Sequence, residues 1–69
     1  MEYFAVRVEN GKEMLGSDNS IFIKDLKTLS GVKDRIKKVK NLNKGRYKIF
    51  TYTNVFDTDS YKLVGSVLR

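Results

Sequence analysis

Apolar and polar positions alternate at the start of the chain, and this alternation predicts the first strand. Two sets of side chains alternate over residues 3–9: Phe4, Val6 and Val8 against Tyr3, Ala5, Arg7 and Glu9. A period of two is typical of a β-strand, because successive side chains point to opposite faces of the sheet. The even positions form the more apolar set. We therefore expect them in the core, with Tyr3 and Arg7 on the other face.

Short elements follow this strand. Asn10-Gly11 suits the positive φ angles of a tight turn, so residues 12–15 are the candidate return strand of a hairpin. Residues 16–20 are small and polar, which indicates a loop. The apolar run 21–23 is either a brief strand or the approach to a helix.

Helical spacing dominates the middle of the chain. Apolar side chains recur at steps of three and four, which places them along one side of an α-helix: Leu26, Leu29, Val32, Ile36 and Val39. We predict a helix over residues 25–41, with Asp25 as its N-cap and Ser30 as the alternative. Gly31 indicates a bend or a close packing contact. Asn41 and Gly45 supply a C-terminal stop.

The last third of the chain predicts a hairpin. Residues 46–56 are rich in aromatic and β-branched side chains, residues 57–60 form a connection, and residues 61–68 return as the final strand. The expected fold is α+β, a three-stranded antiparallel sheet with one helix packed on one face, in the order β-α-β-β. An extra short strand before the helix is the alternative for residues 21–23. One helix covers one face only, so we expect the other face to be open.

Composition limits what can stabilise this fold. The 69 residues form one small domain, 1–69, and include no cysteine and no histidine, so neither a disulfide nor the commonest transition-metal ligands contribute. Apolar runs are far too short to span a bilayer, and the N-terminal residues begin as a strand and not as a signal peptide. We expect a cytoplasmic protein without membrane contact.

Positive charge is concentrated in one segment. The net charge is +6, and residues 23–48 hold ten of the fourteen basic side chains but only two acidic ones. Candidate anion-binding residues run across the helix and the start of the following strand: Lys33, Lys37, Lys38, Lys40, Lys44, Arg46 and Lys48. A solvated helix face is the alternative explanation for the lysines. Such a segment favours anionic partners, either DNA or RNA or an acidic protein surface.

Aromatic side chains on the open face form a second candidate surface. Over residues 46–56 both faces of the strand carry large apolar groups, so whichever face lies away from the helix exposes some of them. Tyr52, together with Tyr3 and Arg7, combines rings and cations as single-stranded nucleic-acid binders do. The alternative is that these rings belong to the core or to a homodimer interface.

Enzymatic and cofactor-dependent functions find little support in the sequence. There is no histidine, the acidic residues are scattered, and residues 57–60 lack the glycine and glutamate that a calcium loop needs downstream. No glycine spacing matches a phosphate-binding loop. We expect a non-catalytic protein with no cofactor and no metal site.

One family resemblance adds to this interpretation. The opening YFAVRVENG, the helical KDLK and KDRIKKVK, and the closing YKIFTYTNVF and YKLVG resemble small accessory proteins encoded by phages and mobile elements of low-GC bacteria. Some anti-CRISPR proteins share this β-α-β-β plan. The resemblance implies a stoichiometric inhibitor that occupies a surface of a host defence nucleoprotein complex. Many such inhibitors are acidic and imitate DNA, whereas this chain is basic.

Two hypotheses about function result. In the first, the chain is a phage-encoded, anti-CRISPR-like inhibitor that binds a host protein or nucleoprotein complex. In the alternative, it is a nucleic-acid-binding regulator that uses the basic segment 24–48 and the open sheet face. A homodimer is compatible with either hypothesis.

Overall fold

A computed structural model describes residues 2–69 of the chain. Its elements, in chain order, are β1 (Glu2–Glu9), β2 (Lys12–Met14), β3 (Ser20–Ile23), α1 (Leu29–Lys38), β4 (Arg46–Tyr52) and β5 (Lys62–Leu68), with a turn of 3-10 helix at Thr58–Ser60. The α+β class, with one α-helix in the described residues, is confirmed. No helix in this part of the chain is long and apolar enough to cross a membrane.

The sheet is built around β1, which is paired along both edges. One edge pairs with β4, and the other is shared by β2, opposite residues 7–9, and β3, opposite residues 3–6. β5 pairs with the outer edge of β4, and every pair is antiparallel. The predicted three-stranded sheet is therefore wrong, because the sheet has five strands in the order β2-β1-β4-β5, with β3 also beside β1.

β2 and β3 are two parts of one interrupted edge strand. Asn10 and Gly11 have φ angles of 52° and 78°, the left-handed conformations that a tight hairpin turn requires, so the chain turns directly back along β1. Met14 then lies opposite Arg7 and Ser20 opposite Val6. Residues 15–18 leave the edge of β1, and the chain rejoins it at Asn19, whose carbonyl accepts a hydrogen bond from the Arg7 amide. The hairpin and the short strand were each anticipated, but only the register shows that they continue one another.

The helix is shorter than the predicted 25–41. Thr28 is its N-cap: the backbone there is extended, and the threonine Oγ1 accepts a hydrogen bond from the amide of Gly31 at 3.2 Å. Both predicted N-caps, Asp25 and Ser30, are therefore wrong. The chain leaves the helix at Val39, whose backbone is again extended.

Asp25 has a different partner. Its carboxylate accepts a hydrogen bond from Arg35 Nη2 at 2.9 Å, and this bond holds the pKa of Asp25 below its usual value. The segment before the helix is thus tied to the exposed side of α1. The pair is solvent-exposed, so we expect it to contribute little to stability.

The core lies between α1 and the sheet face beneath it. The predicted helical stripe is confirmed, because Val32 and Ile36 are fully buried and its other three members pack at the border of the core. Facing the helix are inward side chains from four strands and the loop after α1: Tyr3, Ala5, Ile23, Leu42, Tyr47, Ile49 and Val67.

The predicted orientation of β1 is wrong for Tyr3 and Phe4, although Val6, which was also expected in the core, is fully buried. Tyr3 and Ala5 lie under the helix, and Phe4 points to the other face. Small residues allow this close approach: a Cβ on Gly65 would stand 3.2 Å from a methyl group of Leu29, and Ala5 is fully buried. Periodicity identified two faces for β1, but the face with the smaller residues receives the helix.

The C-terminal hairpin is confirmed, with different limits. β4 ends at Tyr52 and not at residue 56, because residues 53–57 form a turn held by Ser60, whose Oγ donates to the Asn54 carbonyl at 2.9 Å. β5 then pairs with β4 along its length. The register shifts by one residue between Gly65 and Leu63, so Val64 is the extra residue of a β-bulge.

Two polar anchors lie outside the apolar core. Asn19 is buried in the loop between β2 and β3, and its Oδ1 accepts hydrogen bonds from Arg7 Nε and Asn43 Nδ2, both at 2.9 Å. Arg69 donates from Nη1 to the Ile36 carbonyl at 2.6 Å and from Nε to the Leu42 carbonyl at 3.0 Å. Both anchors join segments that are far apart in sequence.

Candidate binding surface

The sheet face opposite α1 carries a row of phenylalanines. In the antiparallel register, Phe4 lies opposite Phe22 on β3 and opposite Phe50 on β4, so three rings stand side by side across three strands. The ring centroids of Phe4 are 4.7 Å from Phe22 and 6.5 Å from Phe50. Cross-strand aromatic pairs of this kind stabilise the sheet as well as shaping its surface.

Two tyrosines extend this row. Tyr61, just before β5, stacks on Tyr52 with a centroid separation of 4.9 Å and an interplanar angle of 18°, and its edge meets Phe4 at 5.9 Å. Tyr52 is only 5% exposed, and burial, reinforced by the nearby Glu2 carboxylate, raises its pKa. These five rings, Phe4, Phe22, Phe50, Tyr52 and Tyr61, are called the aromatic cluster below.

Apolar side chains in and beside the aromatic cluster are exposed. Phe22 is 47% exposed, Leu63 is 58% exposed and Leu68 is 62% exposed, and all three lie on this face. Two open grooves cross the face. One, of about 390 Å³, is lined by Phe4, Glu13, Phe50, Thr58 and Tyr61, and the other, of about 450 Å³, by Val8, Arg46, Lys48, Leu63, Val64, Gly65 and Ser66. Apolar surface left uncovered in this way is typical of an interaction site.

Charges on this face are few and of both signs. Arg46 lies opposite Val8 and Lys48 opposite Val6, so both cations stand on the same side of the sheet as Phe4 and Phe50. Glu2 and Glu13 lie on the same face, opposite Tyr52 and Val8. The open face is therefore mainly apolar and nearly balanced in charge.

The other predicted lysines lie on α1 or in the segment that follows it. Lys37 and Lys38 are exposed on α1, and Lys40 and Lys44 are exposed in the segment that follows it. The Lys33 side chain runs over β5 on the helix side, with its Cε 3.6 Å from the position that a Cβ on Gly65 would take. The predicted continuous surface from the helix to β4 is thus divided, because Arg46 and Lys48 face away from α1.

Tyr3 and Arg7 also lie on the helix side. Tyr3 is buried in the core, so it offers no ring to a ligand. The Arg7 side chain is engaged in contacts within the protein. It donates to Asn19 Oδ1, forms a 3.6 Å ion pair with Glu9 and packs against Gly45. Of the ten predicted binding residues, the structure brings together Arg46, Lys48 and Tyr52 on the open face.

Sequence reasoning did not identify most of the exposed apolar residues on this face. Phe4 was expected in the core, and Phe22, Tyr61, Leu63 and Leu68 were not singled out. One signal was available in Ala5, since a helix packs most closely over a small side chain. That signal favours the odd positions of β1 as the helix-facing set and leaves the phenylalanines outside.

No protein-family model matches this chain, and no curated protein or solved structure matches it either.

Proposed function

We propose that this chain is a non-catalytic binding protein whose open sheet face covers an apolar surface of a protein partner. The observation that carries the proposal is the exposure of Phe22 in the aromatic cluster and of Leu63 and Leu68 beside it, on the sheet face opposite α1. Removing such surface from water contributes about 25 cal/mol per Å² of apolar area, which supplies a driving force for association.

A protein fits this face better than a nucleic acid does. Leu63 and Leu68 are aliphatic and do not stack on bases, and the two cations are matched by two acidic side chains. Protein interfaces combine an apolar, aromatic-rich centre with a mixed polar rim. An inhibitor that occupies a host defence complex, as the resemblance implies, would be one member of this class and would use this face.

The test is a single substitution with a matched control. Phe22→Gln removes an exposed ring from the face, whereas Phe56→Gln removes a ring that is 94% exposed in the turn 53–57 and absent from the aromatic cluster. Partners are captured from a nuclease-treated lysate of the source cells, purified, and titrated calorimetrically against each variant. We expect Phe22→Gln to weaken binding about tenfold or more and Phe56→Gln to leave it unchanged. Equal affinities for the two variants would contradict the proposal.

A second candidate function rests on the helix side. Lys37, Lys38, Lys40 and Lys44 are exposed there, and within residues 2–69 none of them forms a salt bridge. Such a surface suits the phosphates of DNA or RNA, whose binding weakens steeply with salt. Lys37→Glu with Lys38→Glu separates the two functions: it should abolish salt-dependent nucleic-acid binding in an anisotropy titration, whereas Phe22→Gln should not affect it.

A further inference from the structure

One edge of the sheet has no partner strand. β5 pairs with β4 on one side, and in the described residues nothing hydrogen-bonds to its other side. The phase of the ladder shows which groups are free. Gly45 and Arg69 exchange both backbone hydrogen bonds, at 3.3 and 2.8 Å. Because such pairs alternate along an antiparallel ladder, the N–H and C=O groups of Val67 and Gly65 also point toward β4. The N–H and C=O groups of Ser66 and Leu68 therefore point outward.

This free edge lacks most of the features that discourage pairing. Residues 63–68 contain no charged residue and no proline, and Leu63, Val64 and Leu68 are exposed. Natural edge strands are usually protected against pairing with another chain by a charge, a proline or a bulge. Here Lys62 and the bulge at Val64 lie at one end, and the Arg69 guanidinium at the other end is bound to the carbonyls of Ile36 and Leu42, so residues 65–68 remain available.

The edge is also complementary to itself. If β5 pairs with a second β5 about a two-fold axis at Ser66, each Ser66 lies opposite its own copy, and their outward groups form a hydrogen-bonded pair. Val67 then lies opposite Gly65 of the second copy. Leu68 then lies opposite the bulge of the second copy, where Leu63 and Val64 are both exposed. The same register pairs the outward backbone groups of Ser66 and covers the exposed leucines.

We propose that two copies of this chain associate through β5, centred on Ser66, and form one continuous sheet across a two-fold axis. The proposal goes beyond the proposed function, because it concerns a different surface and needs no other partner. A second copy fits this edge better than an unrelated peptide, because the two-fold axis places Leu68 of each copy against the exposed Leu63–Val64 bulge of the other. The two open faces would become a single surface with twice the area.

The first experiment uses the absence of cysteine in the chain. Ser66→Cys introduces one thiol, and opposite residues in a hydrogen-bonded antiparallel pair have Cα atoms about 5.5 Å apart, within the range that a disulfide spans. Ser30→Cys, exposed at the start of α1, is the matched control. We expect Ser66→Cys to form a disulfide-linked dimer much faster than Ser30→Cys under mild oxidation. Equal rates, or a noncovalent dimer that does not crosslink at Ser66, would overturn the proposed pairing.

The second experiment measures association without crosslinking. Ser66→Lys places two ammonium groups opposite each other across the axis, whereas Ser66→Thr keeps a small, strand-favouring residue there. The Ser66 side chain is exposed, so both variants should keep the monomer fold, which circular dichroism checks. By sedimentation equilibrium we expect concentration-dependent dimers for the wild type and Ser66→Thr, and monomers for Ser66→Lys. A wild type that stays monomeric up to about 1 mM, or a Ser66→Lys variant that dimerises like it, would refute the proposal.

Discussion

Asn19 links two loops and the first strand through one side-chain oxygen. Arg7 and Asn43 both donate to Asn19 Oδ1, and the backbone carbonyl of Asn19 accepts from the amide of Arg7 at 2.8 Å. Asn43 in turn accepts at its carbonyl from Tyr47 Oη at 2.6 Å. Burial raises the pKa of the Tyr47 phenol. A buried polar group stabilises a fold only while its partners are present.

We predict that Asn19→Ala lowers the free energy of unfolding by about 1–3 kcal/mol, because two part-buried donors lose their acceptor. Asn19→Asp is the control, since it keeps an acceptor oxygen beside the Arg7 guanidinium and should recover most of the loss. Urea denaturation followed by circular dichroism measures both variants. If the two variants are equally destabilised, the acceptor oxygen is not the important group.

At the scale of the element, α1 depends on its cap more than on its composition. It has ten residues, contains Gly31 and has no acidic side chain in its first turn, so its own helical preference is weak. Gly31 has a packing reason: a Cβ there would stand 3.1 Å from the Thr28 Oγ1 that accepts from the Gly31 amide. The glycine predicted to mark a bend or a close contact therefore marks a close contact at the cap.

Replacing the cap residue should show this dependence. We expect Thr28→Ala to cost about 1 kcal/mol of stability, because the Gly31 amide loses its acceptor, and Thr28→Ser to cost much less. Thermal unfolding of the two variants beside the wild type is sufficient to compare them. If Thr28→Ser loses as much thermal stability as Thr28→Ala, then the methyl group of Thr28, and not its hydroxyl, stabilises the helix.

At the scale of the whole molecule, Arg69 connects the helix to the sheet through hydrogen bonds. Its guanidinium donates to the carbonyl of Ile36, which lies in the last turn of α1, and to that of Leu42 in the following loop. Its backbone continues the pairing with Gly45 beyond β5. Carbonyls at a helix end need partners from outside the helix, and Arg69 supplies one for the Ile36 carbonyl.

Arg69→Ala should lower the free energy of unfolding by about 1.5–3 kcal/mol, the usual worth of hydrogen bonds from a charged donor. Arg46→Ala removes an exposed arginine on β4 and should change stability by about 0.5 kcal/mol or less. Far-ultraviolet circular dichroism and tyrosine fluorescence should report the same shifted transition for Arg69→Ala, because one cooperative unit unfolds. A shift seen only in the helical signal would mean that Arg69 stabilises α1 alone.

The sequence by itself determined the elements that depend on local pattern. The helical stripe through Val32 and Ile36, the tight turn at Asn10-Gly11, the closing hairpin and the concentration of lysines around α1 all follow from spacing and residue type. Each is a property of neighbours in the chain, where side-chain periodicity and backbone preference act directly.

The tertiary structure alone decided which face of β1 meets the helix, that β2 and β3 continue one strand, and that Arg46 and Lys48 stand apart from the helical lysines. A period of two defines two faces but does not say which is buried when both carry large apolar groups, as Tyr3 and Phe4 do. That choice depends on how closely the helix approaches over Ala5 and Gly65. Such packing is a relation between distant segments, so no local pattern contains it.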